Sequence, residues 1–169
     1  MPHSRKRKKS SRTKGRTSPG RLSLLDELIF CPEFVHFNNL KKNRAPLLID
    51  FGFGAAATTS IELLQCARRQ HSAARVIAID QDPLRVAQGR NEAKALGLEA
   101  KQGIEFGVGN FHLHPYLHAK REEQGAQLIR AMNVLRGYGA HEQIQAQLSL
   151  IQCLAPGGIF CEGSCDQGG

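Results

Sequence analysis

Tryptophan is absent from the chain, and Tyr contributes only two residues, so that aromatics reach no more than 6% of the composition. Long apolar runs are absent too. None approaches the roughly 18 residues of a membrane-spanning helix, and the basic N-terminus leads into no apolar signal region. Membrane-spanning and secreted readings are therefore set aside as first choices. The five Cys include no C-x-x-C pair, and an odd number does not close a disulfide framework. They read as free thiols of a reducing compartment, which points to the cytoplasm.

Acidic residues are missing altogether from the first 21 positions, which hold nine Lys and Arg: Arg5, Lys6, Arg7, Lys8, Lys9, Arg12, Lys14, Arg16 and Arg21. Of the 23 bases in the chain, the remaining 148 residues keep 14, against all 15 acids. The net charge of +8 thus belongs to the tail, and the rest of the chain is electrically balanced. Residues 1–21 also lack apolar periodicity and are expected to be disordered. The run Arg5–Lys9 fits RNA or DNA phosphates bound without sequence preference, a nuclear-import signal in a eukaryote, or simple solubility. No aromatic interleaves its bases, so stacking on single strands is unsupported.

What is present beyond residue 21 is one domain's worth of alternating elements. Leu24, Leu25, Leu28 and Ile29 recur at helical spacing, with Pro32 as a stop, and Asn38–Pro46 is a polar loop; residues 22–45 read as an N-terminal helix and loop. From there short apolar strands alternate with helices. Strands are expected at Leu47–Asp50, Val76–Ile79, Ala100–Val108, Gln127–Ala131 and Ile159–Glu162. Thr58, Thr59 and Ser60 are expected to cap a helix carrying Ile61, Leu63, Leu64 and Ala67. Asp82-Pro83 opens another, running to about Leu96 before Gly97. A third covers His141–Leu154, with Ile144, Leu148, Ile151 and Leu154 on one face and Pro156-Gly157-Gly158 as its stop. This alternation implies a doubly wound, mostly parallel α/β sheet whose ligand lies beyond the carboxyl ends of the strands.

The strongest local signal is Asp50-Phe51-Gly52-Phe53-Gly54 at a strand-to-helix turn, followed by Asp80 at the end of the next strand. Glycines there allow close backbone approach to a ligand, and the second carboxylate suits the two hydroxyls of a ribose. Gly52-x-Gly54-x-x-Ala57 also fits the dinucleotide fingerprint, so NAD is a competing ligand. Against NAD stands Asp50, two residues before the first glycine, where a carboxylate repels phosphate and attracts an amino group. His112-x-His114-x3-His118 lacks a fourth ligand at ordered spacing, and Pro115 interrupts a helix there; a polar loop is expected and no metal site. Cys66, Cys153 and Cys161 read as core residues and Cys165 as a loop thiol. Arg130 and Arg136 are candidates for contacts to an acidic substrate or for solvated charges at element ends.

Leu48-Ile-Asp-Phe-Gly-Phe-Gly54 followed by Val76-Ile-Ala-Ile-Asp-Gln-Asp-Pro83 resembles the first two motifs of class I S-adenosylmethionine-dependent methyltransferases. Leu128-Ile-Arg-Ala-Met-Asn-Val-Leu135 resembles their fourth-strand motif, and Leu154-Ala-Pro-Gly-Gly-Ile-Phe160 their entry into strand five. The resemblance covers roughly Pro46–Asp166. Arg130–Arg136 with Glu162–Asp166 is most similar to an uncharacterised bacterial branch. The resemblance implies a Rossmann-like domain over residues 46–169 that binds S-adenosylmethionine. Asp50, Gly52 and Gly54 would hold the methionine moiety, Asp80 the ribose hydroxyls, and Gln81, Asn110 and Phe111 the adenine. Asn133 would face the departing methyl group as the catalytic-site residue. No Pro-Pro-Tyr follows it, so the signature for amino methylation of DNA bases or glutamine is absent. The acceptor is left open, as are a non-catalytic nucleoside-binding module and an NAD-binding protein. The family's sheet has the order 3-2-1-4-5-7-6. Only five strands are counted here, so strands 6 and 7 are missing and strand five is expected near a bare edge, where it could pair with another chain.

Overall fold

The structure, a computed structural model, describes residues 17–31, 33, 45–99, 103–113, 117 and 125–164. The basic tail as far as residue 16, Pro32, most of the polar loop before Pro46, His114, His118 and Cys165 lie outside the described residues. Five strands form one sheet: β1 Leu47–Phe51, β2 Arg75–Asp80, β3 Ile104–Val108, β4 Ala126–Met132 and β5 Leu154–Gly163. Their order is β3-β2-β1-β4-β5, and every pairing is parallel. The three inner strands, β2, β1 and β4, are short apolar runs because both faces of a parallel sheet are covered.

Period-two alternation distributes their side chains. Leu48, Val76, Ala78 and Leu128 face one core layer, under helices α1 Ser23–Ile29, α2 Thr58–Arg68 and α3 Pro83–Ala95. Leu47, Ile49, Ile77, Ile79 and Ile129 face the other, with Leu113, Leu117 and Leu150 of helix α4 Ala140–Ile151. α3 begins as its sequence implies: Asp82 Oδ1 accepts from Leu84 N–H at 3.0 Å and Pro83 takes the first helical position. No helix among the described residues is long and apolar enough to cross a membrane.

Four expectations are corrected. The hydroxyls at the start of α2 do not cap it. Its N-cap is Ala57, and Ser60 and Thr59 turn inward to Asp50 instead. α4 ends at Ile151 rather than Leu154, and β5 starts at Leu154 and runs through Pro156-Gly157-Gly158. An edge strand tolerates this: the prolyl nitrogen owes no ladder bond, and Gly157, at φ 75°, accompanies a register shift between Ala126 and Leu128. The apolar stripe of α4 is not buried, since Ile144, Leu148 and Ile151 are 54%, 50% and 46% exposed while Ala146 and Leu150 pack inward. Finally, residues 17–21, grouped with the tail by composition, join the folded body through a turn in which Gly20 N–H donates to Glu62 Oε1 at 2.7 Å.

Among the described residues β5 is a sheet edge, with Ile159, Phe160 and Cys161 only half-buried. Burial decides what each α4 residue contributes to stability. Leu150→Ala should lower unfolding free energy by about 2–5 kcal/mol. Leu148→Gln should change it by no more than about 0.5 kcal/mol. Urea unfolding of both variants is the check, and equal losses would mean that the exposed stripe is covered in solution.

Candidate functional site

A parallel sheet opens a crevice where strand order reverses, here between β1 and β4. A cavity of about 980 Å³ occupies it. Its walls are the residues that follow β1, β2, β3 and β4, together with Thr17, Arg21 and Leu22. Asp50, Gly52, Gly54, Asp80, Gln81, Asn110, Phe111 and Asn133, the eight candidates named from sequence, all line this single space. The lining residues Thr17, Arg21, Arg85 and Tyr138 carried no signal as site residues, being a tail fragment, two ordinary surface bases and a lone aromatic.

The glycine turn is shaped by close approach. Gly52 has φ 72° and Gly54 φ 90°, conformations that side chains disfavour. A Cβ at Gly52 would run into Val134, and one at Gly54 would lie 2.8 Å from Thr17 Oγ1. Gly52 N–H is spent on Ile79 C=O at 2.6 Å, tying the turn to the end of β2. Ala57 N–H, at the mouth of α2, donates to Glu92 Oε2 at 2.7 Å. A helix N-terminus ordinarily welcomes an anion; this one already holds a carboxylate of the chain.

Beneath the turn lies a buried ion cluster. Arg130 is fully buried in the middle of β4, and its register partner on β1 is Asp50. Its Nε donates to Asp50 Oδ1 at 3.1 Å, and its Nη2 lies 2.9 Å from Asp50 Oδ2 and donates to Thr59 C=O at 2.9 Å. Nη1 donates to Asp26 of α1. Asp50 Oδ2 also accepts from Ser60 at 2.6 Å. Neither sequence reading of Arg130 holds: it is neither a surface charge nor within reach of a substrate. Asp50 borders the cavity, but its oxygens are turned to this cluster below the floor. A carboxylate and a guanidinium three strands apart in sequence, each on the α1-facing side, were the available signal. Recognising it required knowing that β1 pairs with β4.

The other candidates sit nearer the open space. Asp80 is buried at the end of β2, where Oδ1 accepts from Asp82 N–H at 2.9 Å and Oδ2 is 3.5 Å from Arg85 Nη1. Asn110 Oδ1 accepts from His112 N–H at 2.9 Å, closing its own loop. Phe111 stacks on Phe51 with centroids 5.1 Å apart and meets Tyr138 edge-on at 5.1 Å. Asn133 has φ 60°, the only positive value outside glycine among the described residues, and its N–H donates to Gly163 C=O at 2.8 Å. No group of three or more metal-ligating side chains occurs among the described residues. Burial pushes the thiols of Cys66, Cys153 and Cys161 up from their ordinary range.

Comparison with known proteins adds the fold. A methyltransferase from Thiobacillus denitrificans, solved with S-adenosyl-L-homocysteine, superposes with a TM-score of 0.54 at 20% identity over 89% of this chain and 50% of its own. The chain carries the S-adenosylmethionine-dependent methyltransferase fold. Coclaurine N-methyltransferase, bound to N-methylheliamine and S-adenosyl-L-homocysteine, gives 0.57 at 11% identity over 83% of this chain and 33% of its own. The 4+2 cyclase SpnF gives 0.52 at 24% identity over 72% and 41%. The chain therefore spans half the length of these proteins or less. No family model and no curated protein matches the sequence.

The ion cluster makes a pH prediction. Desolvation pushes Asp26 up to about 6, outweighing its attraction to Arg130, because Asp50 already balances that charge. A carboxyl whose folded pKa is raised contributes stability below its unfolded value near 4 and loses it as pH climbs through about 6. Stability should thus fall by about 3 kcal/mol between pH 4 and 7 on this account. Asp26→Asn should flatten that interval in urea unfolding. Arg130→Met, which strands two buried carboxylates, should cost about 3–5 kcal/mol at pH 7. An Asp26→Asn profile parallel to wild type would sink the assignment.

Proposed function

We propose that the cavity binds S-adenosylmethionine and that the protein transfers its methyl group to an acceptor. The observation that carries this reading is the charge around the glycine turn. A dinucleotide would set its pyrophosphate against the start of α2, where Glu92 already occupies Ala57 N–H. The turn therefore suits a nucleoside without phosphates, and Asp80 supplies a carboxylate for the ribose diol one strand away. The cavity volume lies in the range of cofactor sites. Fold-mates solved with S-adenosyl-L-homocysteine support the same ligand. A cyclase with the same fold is a reminder that the fold hosts other chemistry.

Within this reading the residues take distinct parts. Asp80 accepts from the ribose hydroxyls, Gln81 and Phe111 flank the adenine, and the backbone at Gly52–Gly54 receives the amino-acid moiety. Asp50 acts from below, fixing the turn through Ser60 and Arg130 rather than gripping the ligand. Asn133, at the end of β4, faces the reacting methyl group. The sulfonium supplies an already activated methyl, so what this chain must provide is alignment and a dry site rather than an acid–base pair. Four free Cys among the described residues are in keeping with a reducing cytoplasm.

Calorimetry tests the ligand. S-Adenosylhomocysteine should bind the full chain and NADH should not compete with it. Asp80→Ala should weaken binding by about 100-fold or more, since two charge-assisted hydrogen bonds of roughly 1.5–3 kcal/mol each are lost. Unchanged affinity in that variant would overturn the ribose assignment, and NADH binding in preference would overturn the cofactor.

A further inference from the structure

A second cavity, of about 360 Å³, lies between α1 and α2 and shares no lining residue with the first. The ion cluster separates the two: Asp26 lines the second, Asp50 lines the first, and Arg130 holds both carboxylates. Its walls are Ser23 and Asp26 of α1, Glu62, Gln65 and Cys66 of α2, and Arg69 just beyond. The α2 members fall at i, i+3, i+4 and i+7, so they share one helix face.

Two carboxylate oxygens on these walls are left over. Asp26 Oδ1 accepts from Arg130, but Oδ2, on a side chain only 2% exposed, has no hydrogen-bond partner among the described residues. Glu62 Oε1 accepts from Gly20 N–H at 2.7 Å, whereas its buried Oε2 likewise has no partner there. Ionised carboxylates carry no donor, so the two oxygens cannot satisfy each other. Charge is unbalanced in the same sense. The charges acting on Asp26 are Arg130, Asp50 and Glu62, so that three carboxylates face one guanidinium. Arg69, the other cation on the wall, is turned to Glu27 Oε1 at 3.4 Å and to Cys66 Sγ at 3.0 Å. Buried polar atoms without partners are rare, and they mark places where water or an ion belongs.

The chemistry of the walls selects the ion. Two carboxylates, the Ser23 hydroxyl and the Gln65 amide offer oxygen, which suits a hard cation. Two carboxylates are too few for a closed protein cage, in keeping with the lack of a three-residue ligand cluster among the described residues. An ion of the Mg²⁺ kind is ordinarily held by one or two carboxylates and keeps several waters, for which the cavity has room.

We propose that this second cavity binds a hydrated divalent cation of the Mg²⁺ class through Asp26 Oδ2 and Glu62 Oε2. The site is independent of what the larger cavity binds. Its occupant ties α1 to α2 and balances the two negative charges that Arg130 leaves over.

Mn²⁺ is the probe, because its electron paramagnetic resonance signal falls on binding. At pH 7 the full chain should take up a single Mn²⁺ with a Kd of about 0.1–1 mM, and Mg²⁺ should displace it. Asp26→Asn and Glu62→Gln should each weaken uptake by about 10-fold or more, since each removes one ligand charge. Either amide oxygen can still accept from Arg130 or from Gly20 N–H, and an unchanged circular dichroism spectrum checks the fold. Were Asp26→Asn to unfold, Glu62→Gln carries the test by itself. Asp82→Asn, at the larger cavity, should leave uptake as it is. No uptake at about 10 mM Mn²⁺ would leave the cavity to water and overturn the proposal. Uptake that survives both substitutions, or that Asp82→Asn abolishes instead, would place the ion elsewhere and overturn it too. Methylammonium displacing Mn²⁺ as well as Mg²⁺ does would overturn it in favour of an organic cation.

Discussion

Everything around the cavity hangs on one buried guanidinium. Arg130 sits in the middle of β4, directly beside Asp50 of β1, at the point where the sheet parts to form the crevice. Its three nitrogens join β4 to β1, to the first turn of α2 through Thr59, and to α1 through Asp26. A buried charge of this kind is costly to solvate, so the fold tolerates it only with every donor satisfied. The cluster therefore fixes the relative position of four elements more sharply than apolar packing would. It has one carboxylate more than the charge requires, and Asp26, pushed up chiefly by desolvation, absorbs the imbalance as a raised pKa.

This arrangement explains which parts of the molecule were readable from sequence. The inner strands were legible because a parallel sheet buried on both faces needs continuous apolar runs, and Leu47–Ile49, Val76–Ile79 and Leu128–Ile129 supply them. Asp80 and the glycine turn were legible because strand ends are where ligands bind. The role of Asp50 was not. Its acidity was visible, but the residue that claims it lies 80 positions away on a strand whose neighbour only the topology reveals. The start of β5 was hidden by a Pro-Gly-Gly that breaks most elements, yet an edge strand accommodates it. The stripe of α4 was visible as a period but not as a surface. Periodicity says which residues share a face, whereas coverage depends on what else is present to pack there.

The same distinction separates the two nucleotide readings. Gly52-x-Gly54-x-x-Ala57 fits the dinucleotide pattern, and no inspection of the motif itself excludes a pyrophosphate. Glu92, on α3 and 35 residues from Ala57, fills the helix mouth with a carboxylate of the chain itself. What distinguishes the two patterns here is a residue outside the motif, whose hydrogen bond stands where an anion is usually recruited.

Asn133 brings the scaffold and the site together. A non-glycine residue at φ 60° is held in a sparsely populated conformation, and such strain persists only where the surroundings over-determine it. Here they do so from two sides. The ladder of β4 delivers the residue three positions after Arg130, and β5 receives its N–H at Gly163. The turn that follows carries Val134 over Gly52, in space that a side chain at that glycine would fill, and then Arg136 and Tyr138 to the cavity wall. The buried guanidinium below, the strained amide at the lip and the aromatic wall above are consecutive stretches of one chain. The strand that locks the floor also orients the face an acceptor would meet, so loosening Arg130 would disturb the acceptor wall as well as the glycine turn.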